Sequence, residues 1–126
     1  QVRALRDAPD DGPITMVNLL KFRAQARYDD GDEAPCSGRE AYGRYKKAFT
    51  ETVGAVSRAE VVFHGPVQQL FIGVAGQPEA DWDEVLVVRY PSRRHFLAMM
   101  ADPTYREALR HRYAGLERTV LLQCSA

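Results

Sequence analysis

The stretch Ile14–Phe22 (ITMVNLLKF) decides how this chain folds. Its side chains can be sorted with a period of two, which predicts a β-strand from about Thr15 to Phe22. One face then carries Met16, Asn18, Leu20 and Phe22, and the other carries Thr15, Val17, Leu19 and Lys21. Both faces are mostly apolar, as expected for a central strand that is covered on two sides.

An amide stands in the middle of this apolar strand. A buried carboxamide without hydrogen-bond partners costs about 1–3 kcal/mol. Asn18 must therefore either bond to the protein itself or face a ligand. In the second case its amide can donate to a carbonyl or enolate oxygen, as preorganised donors do in oxyanion stabilisation. The sequence leaves both alternatives open.

The chain after this strand predicts a helix. Ser37 and Glu40 have the spacing of a capping box, which marks the start of a helix. Tyr42, Tyr45 and Phe49 follow at steps of three or four, and they form one apolar stripe.

Two further strands are predicted next. The region Glu60–Gly73 is extended, with a bend or bulge at Gly65-Pro66 and a continuation through Gln68–Phe71. After a polar turn, Asp83–Tyr90 alternates again and completes an antiparallel hairpin.

The C-terminal third predicts two helical segments and a strand. Ser92 is the expected N-cap of the first segment, and Asp102-Pro103 starts the second, which ends near Gly115. Arg118–Cys124 is the fourth strand. The order βαββαβ is the ferredoxin-like pattern, an α+β fold with a four-stranded antiparallel sheet. We expect one domain over residues 1–126, with residues 1–13 as a short lead-in.

Composition limits the partners. Seventeen basic residues balance seventeen acidic ones, which disfavours a nucleic-acid partner. No apolar run approaches the length of a membrane helix.

Cys36 and Cys124 are interpreted as free thiols of a cytoplasmic protein. The acidic run Asp29–Glu33 is interpreted as a solvated loop, with a calcium site as the alternative, and no histidine spacing indicates a metal site.

Several segments together resemble the domain of unknown function 1330 family. They occur in the family's order and span about residues 13–123: Met16–Phe22, Ser37–Tyr42, Trp82–Val85, Tyr90–Arg93, Phe96-Leu97 and Asp102–Tyr105. The resemblance implies a dimeric α/β barrel, in which two ferredoxin-like subunits pack their sheets face to face. That superfamily includes cofactor-free monooxygenases, lactone isomerases and haem-binding enzymes, but the matching family has no settled activity.

A homodimer is also expected from the strands themselves. Two helices cover one face of a four-stranded sheet, and the strands here are apolar on both faces. Exposed apolar patches of that size are rare on monomers, so a second copy is expected to pack on the open face.

The candidate catalytic residues are Asn18 and His64. His64 lies on the second strand, where the register can bring it near Asn18, and imidazole suits proton transfer near neutral pH. The alternative is a half-exposed histidine at a strand end. The candidate substrate-binding residues are Phe22, Trp82, Arg89 and Tyr90.

The resulting hypothesis is a small homodimeric barrel that acts without a cofactor on a small carbonyl-bearing or aromatic metabolite in an apolar cleft. The alternative is a non-catalytic ligand-binding or assembly module whose polar residues stabilise the dimer. Haem-dependent chemistry through a histidine ligand is a third, weaker interpretation.

Overall fold

The computed structural model describes residues 12–29 and 34–125, and for residues 52–54 it describes the backbone alone. Residues 1–11 of the predicted lead-in lie outside the described residues. The same holds for residues 30–33, which make up most of the predicted acidic loop.

The predicted βαββαβ order is confirmed. The strands are β1 (Ile14–Phe22), β2 (Glu60–Pro66), β3 (Glu84–Tyr90) and β4 (Leu116–Ser125). The helices are α1 (Gly38–Ala48), α2 (Gly54–Ser57), α3 (Arg93–Ala101) and α4 (Pro103–Gly115), with a π-helical turn at Phe49–Val53 and a short 3₁₀ turn at Pro78–Ala80. The sheet is antiparallel throughout, in the order β2-β3-β1-β4.

The helix starts are those that the sequence predicts. The Ser37 hydroxyl accepts from the Glu40 amide, and the Glu40 carboxylate accepts from the Ser37 amide, so the capping box is complete. Ser92 caps α3 in the same way, through the His95 amide. Asp102 caps α4 through two backbone amides, with Pro103 as the first helical residue.

Strand β1 has one face against the helices. Ile14, Met16, Leu20 and Phe22 belong to the core, together with Tyr42, Tyr45, Phe96, Met99 and Tyr105 from the helices. Asn18 has the same parity as those strand residues and is also buried. The amide therefore lies on the helix side of the sheet, which the sequence could not decide.

The second strand differs from its prediction. It ends at Pro66, and residues 67–70 are loop rather than the predicted continuation of the strand. The irregular register lies between Val61 and Phe63 instead of at Gly65-Pro66. Because proline cannot donate to a ladder, Pro66 ends the strand without bending it. The loop that follows exposes Phe71 and Ile72 almost completely.

The other face of the sheet is apolar and uncovered by the described helices. The β1–β3 and β1–β4 registers place residues of three strands on it: Val17, Leu19, Val85, Val87, Val120 and Leu122. Phe63 of β2 pairs with Val87 and is half exposed. We call these seven residues the outer face.

Two glycines hold α1 and α4 close to the end of β1. A Cβ on Gly38 would stand 2.2 Å from the Arg23 carbonyl oxygen, and one on Gly115 would stand 2.5 Å from the Gly38 carbonyl oxygen. Backbone hydrogen bonds fix the same approach: the Arg23 amide donates to the Gly115 carbonyl, and the Gly38 amide donates to the Arg23 carbonyl.

This close approach predicts opposite effects of alanine at two glycines of one helix. Gly38→Ala forces backbone apart and is expected to lower the free energy of unfolding by about 1–3 kcal/mol. Gly43→Ala meets no atom within 4 Å and is expected to raise it by about 0.5–1 kcal/mol. Urea denaturation at one protein concentration measures both values. Equal effects of the two substitutions would contradict this account of the packing.

Candidate functional site

A cavity of about 570 Å³ lies between the sheet and the helices. Its floor comes from the helix-side rows of the strands, and its walls come from α1, the π-helical turn, α3 and α4. The lining is mostly apolar and aromatic, and it includes Met16, Leu86, Val88, Phe49, Phe96, Met99, Met100, Leu109 and Leu121. Such a cavity has the size and character of a small-molecule site.

Asn18 is a polar group on the floor of this cavity. Its Nδ2 donates to the Leu86 carbonyl oxygen on the neighbouring strand, over 3.0 Å. Among the described residues this is the only hydrogen bond of the side chain. One amide hydrogen is therefore committed to the protein, while the second hydrogen and the amide oxygen have no such bond. The bond to the protein itself is thus realised for one amide hydrogen, and the ligand role of Asn18 stays a prediction.

Four tyrosines of the lining keep their protons to unusually high pH. Burial raises the pKa of Tyr42 to about 12, and it raises the pKa of Tyr45, Tyr90 and Tyr105 above the ordinary value. The Tyr45 and Tyr105 hydroxyls bond to each other over 3.2 Å. These phenols are therefore proton donors at neutral pH rather than bases.

The Tyr42 hydroxyl is buried and has no hydrogen-bond partner within 3.5 Å among the described residues, although the neighbouring Arg112 guanidinium interacts with it and lowers its pKa. An unsatisfied buried hydroxyl costs about 1–3 kcal/mol. Tyr42 lines the cavity, so a ligand oxygen placed there could accept a hydrogen bond from its hydroxyl. Tyr42 is thus a hydrogen-bond donor in the cavity wall, as Asn18 is in its floor.

Two cations also line the cavity. Arg112 of α4 places its guanidinium carbon 5.9 Å from the centre of the Tyr45 ring. Lys46 of α1 donates through Nζ to Nδ1 of His64, over 2.9 Å. Among the described residues, the lining contains no acidic side chain.

His64 belongs to a chain of polar groups beside the cavity. A lysine ammonium can only donate, so Nδ1 of His64 accepts, and a neutral ring then carries its hydrogen on Nε2. That Nε2 donates to Glu84 Oε1 over 2.7 Å. The Glu84 carboxylate is also paired with Arg39. His64 thus holds Lys46 in place at the cavity wall.

The structure separates His64 from Asn18. Both residues pair with Leu86 from opposite sides, so they share a row across three strands. Two strand spacings put their backbones about 10 Å apart. His64 reaches the cavity through Lys46 rather than through its own ring.

The four predicted substrate-binding residues fall in different places. Tyr90 lines the cavity. Phe22 packs on Tyr42, with the Arg39 guanidinium 4.7 Å from its ring centre, and is not part of the lining. Trp82 stacks on Arg118 and donates to the Glu79 carbonyl, away from the cavity. Arg89 has the opposite parity to Tyr90 and is exposed.

Sequence reasoning missed Tyr42, Lys46, Tyr105 and Arg112 as site residues. The aromatic stripe of α1 was interpreted as core, which it also is. The sequence signal for Arg112 was present, because this arginine follows the apolar positions of its helix at the spacing of the buried face. The π-helical turn adds Phe49 and Thr50 to the lining, and such turns frequently occur at functional sites.

The described residues contain neither a candidate metal-binding group nor a helix that could cross a membrane. Ranges 12–29 and 34–125 contain no group of three or more histidine, cysteine or acidic side chains that could hold a metal ion. In the same part of the chain, no helix is long and apolar enough to cross a membrane.

Comparison with known proteins identifies the family. The model of DUF1330, a domain of unknown function, matches residues 35–123. The chain belongs to the DUF1330 family. A solved structure of a protein of unknown function from Rhodopseudomonas palustris is 34% identical, with a TM-score of 0.82, and the match covers 100% of this chain and 88% of that one. Among proteins of curated function, none matches.

More distant structures share the fold of this DUF1330 member. One is a dimeric ferredoxin-like protein of unknown function from Bacteroides fragilis, 12% identical, with a TM-score of 0.58 and coverage of 91% and 97%. Another is SnoaB, a cofactor-independent oxygenase from Streptomyces nogalater, 14% identical, with a TM-score of 0.50 and coverage of 91% and 93%. At such identities the likeness extends to the fold alone.

The cavity phenols predict an alkaline limit to stability. A tyrosine whose pKa is raised by folding contributes stability that is fully present below the unfolded value of about 10. That stability is lost as pH rises through the folded value, which is about 12 for Tyr42. Tyr42→Phe should leave the tyrosinate absorbance near pH 10 unchanged and remove one phenolate near pH 12. An unchanged titration in the variant would contradict the assignment.

Proposed function

We propose that this protein binds a small carbonyl-bearing or aromatic metabolite in the cavity and acts on it. The observation that carries the proposal is the combination of an apolar cavity with two donors that the fold leaves free for a ligand. One is the buried hydroxyl of Tyr42, whose hydrogen has no acceptor within 3.5 Å in the described chain, since the neighbouring Arg112 guanidinium can only donate. The other is the remaining amide hydrogen of Asn18, fixed in direction by the bond to the Leu86 carbonyl.

This arrangement suits a ligand oxygen on which negative charge develops. Fixed donors in an apolar site stabilise an enolate more than the ketone that precedes it. Arg112 adds a positive charge in the same lining. SnoaB, which shares the fold of this chain, is described as a cofactor-independent oxygenase. That likeness of fold supports the hypothesis of a cofactor-free enzyme only by analogy.

Binding without turnover is the second candidate function. The observation that favours it is the absence of a carboxylate or histidine from the described lining, since the Lys46 ammonium can donate a proton but cannot abstract one. His64 acts in this view by positioning Lys46. Mass spectrometry of a bound compound before and after incubation separates the candidates, since an enzyme converts it and a binding module returns it unchanged.

The fluorescent naphthyl ketone prodan tests the proposed site. Its ring body suits the apolar lining, and its carbonyl can accept from Asn18. Asn18→Ala is expected to weaken prodan binding about fivefold, through one lost hydrogen bond. Gln69→Ala, which removes an exposed amide outside the lining, is the control and should leave binding unchanged.

Equal affinities for wild type and Asn18→Ala would contradict the role of Asn18. Absence of prodan binding in wild type, with no co-purified small molecule in native mass spectrometry, would contradict the proposed function.

We also propose that the protein is a homodimer through its outer face. A single chain leaves Phe63 and Leu122 of this face half exposed, and an apolar surface on two sheets is stabilised when the sheets pack together. The dimeric description of the Bacteroides fragilis neighbour supports the same arrangement.

Two adjacent leucines of β4 provide a matched test of the dimer. Leu122 lies on the outer face, whereas Leu121 pairs with Asn18 and lines the cavity, and both are about half exposed. Leu122→Lys should produce a species of the 14.2 kDa chain mass in sedimentation, because the dimer would bury the new charge. Leu121→Lys should sediment at twice that mass, like wild type. A monomeric wild type would contradict the proposal, as would a dimeric Leu122→Lys.

A further inference from the structure

The charges of the cavity are unbalanced. Among the described lining residues, Lys46 and Arg112 are cationic and none is acidic. Neither of the two forms an ion pair with a carboxylate in the described chain. A cation in an apolar, partly enclosed space attracts an anion more strongly than an exposed cation does, because less water screens the interaction.

Arg112 has no carboxylate partner in the described chain. Its side chain makes a long contact of 3.4 Å to the Thr119 hydroxyl and interacts with the Tyr42 hydroxyl, so its charge is not neutralised by either. Its charge also works against the effect of burial on the cavity phenols, since it lowers the pKa of Tyr42, Tyr45, Tyr90 and Tyr105. A positive charge that favours a phenolate at several points of the wall also favours an anionic ligand between them.

Lys46 is the cavity-side end of the polar chain described above. The chain contains the cations Lys46 and Arg39, the carboxylate of Glu84, and His64 between Lys46 and Glu84. Lys46 and Arg39 are two cations at the ends of a chain that contains one carboxylate. One positive charge is therefore left without compensation, and Arg39 contacts Glu84 directly whereas Lys46 does not.

We propose that the ligand of the cavity is an organic anion: an aromatic or other apolar ring body that carries one carboxylate, enolate or similar acidic oxygen group. Arg112 and Lys46 supply the attraction for its charge, and Tyr42 supplies a hydrogen bond to one of its oxygens. This inference rests on the proposed function, because it names the chemical class that the same cavity selects.

Two dyes with a common ring body test the inference. Anilinonaphthalene sulfonate is an anion, and N-phenylnaphthylamine has the same rings without the sulfonate. Their fluorescence on binding gives an affinity for each. Arg112→Gln is expected to weaken binding of the sulfonate about tenfold and to change binding of the neutral dye by less than about twofold. Lys46→Gln should act in the same direction.

The control variants are chosen from the same helices. Lys47→Gln removes the same charge as Lys46→Gln from an exposed neighbour outside the lining, and both dyes should bind as in wild type. Arg112→Lys keeps the charge and should keep most of the sulfonate affinity. Circular dichroism of every variant shows that its fold is retained.

The outcomes separate the inference from the proposed function. Unchanged sulfonate affinity in both Arg112→Gln and Lys46→Gln overturns the anion selectivity, and so does an equal loss for both dyes. In either case, retained binding of the neutral dye by wild type leaves the proposed cavity intact. If neither dye binds wild type, the proposed function fails and the inference fails with it.

Discussion

Strand β1 is hydrogen-bonded on both sides, to β3 and to β4, and the remainder of the fold is arranged around it. Its helix-side row is buried under α1, α3 and α4, yet the aromatic side chains of those helices do not fill the space above its centre. The π-helical turn follows the end of α1, and its residues Phe49 and Thr50 line the space instead of filling it. The cavity lies where this packing is incomplete, directly above Asn18.

The architecture was predictable because its signals are local. The capping residues Ser37, Ser92 and Asp102 mark helix starts by hydrogen bonds within three residues. The period of two in Ile14–Phe22 marks a strand whose two faces are both mostly apolar. The error in β2 arose from a residue with two possible effects, since Pro66 can either bend a strand or end it. Gly38 and Gly115 approach each other closely although they are distant in the sequence. No local sequence pattern could therefore predict this contact.

The site was less predictable, because it is assembled from residues that are ordinary in isolation. Asn18 and Tyr90 could be singled out from strand patterns, and both reach the cavity. Arg112 and Lys46 resemble many other basic residues of amphipathic helices until the fold turns them toward one space. His64 is the opposite case, because its imidazole makes it a candidate catalytic residue by sequence. In the structure it contacts Lys46 and Glu84 rather than Asn18.

The space between the sheet and the helices is the ligand site that we propose, and the three methionines of the sequence report directly on it. Met16, Met99 and Met100 all line the cavity. Nuclear magnetic resonance of isotopically labelled methionine methyl groups can therefore follow a titration with anilinonaphthalene sulfonate. We expect all three methyl signals to shift during the titration, and the dissociation constant from these shifts should equal the one from dye fluorescence. Bright dye fluorescence with all three methyl signals unmoved would place the dye elsewhere and contradict the account.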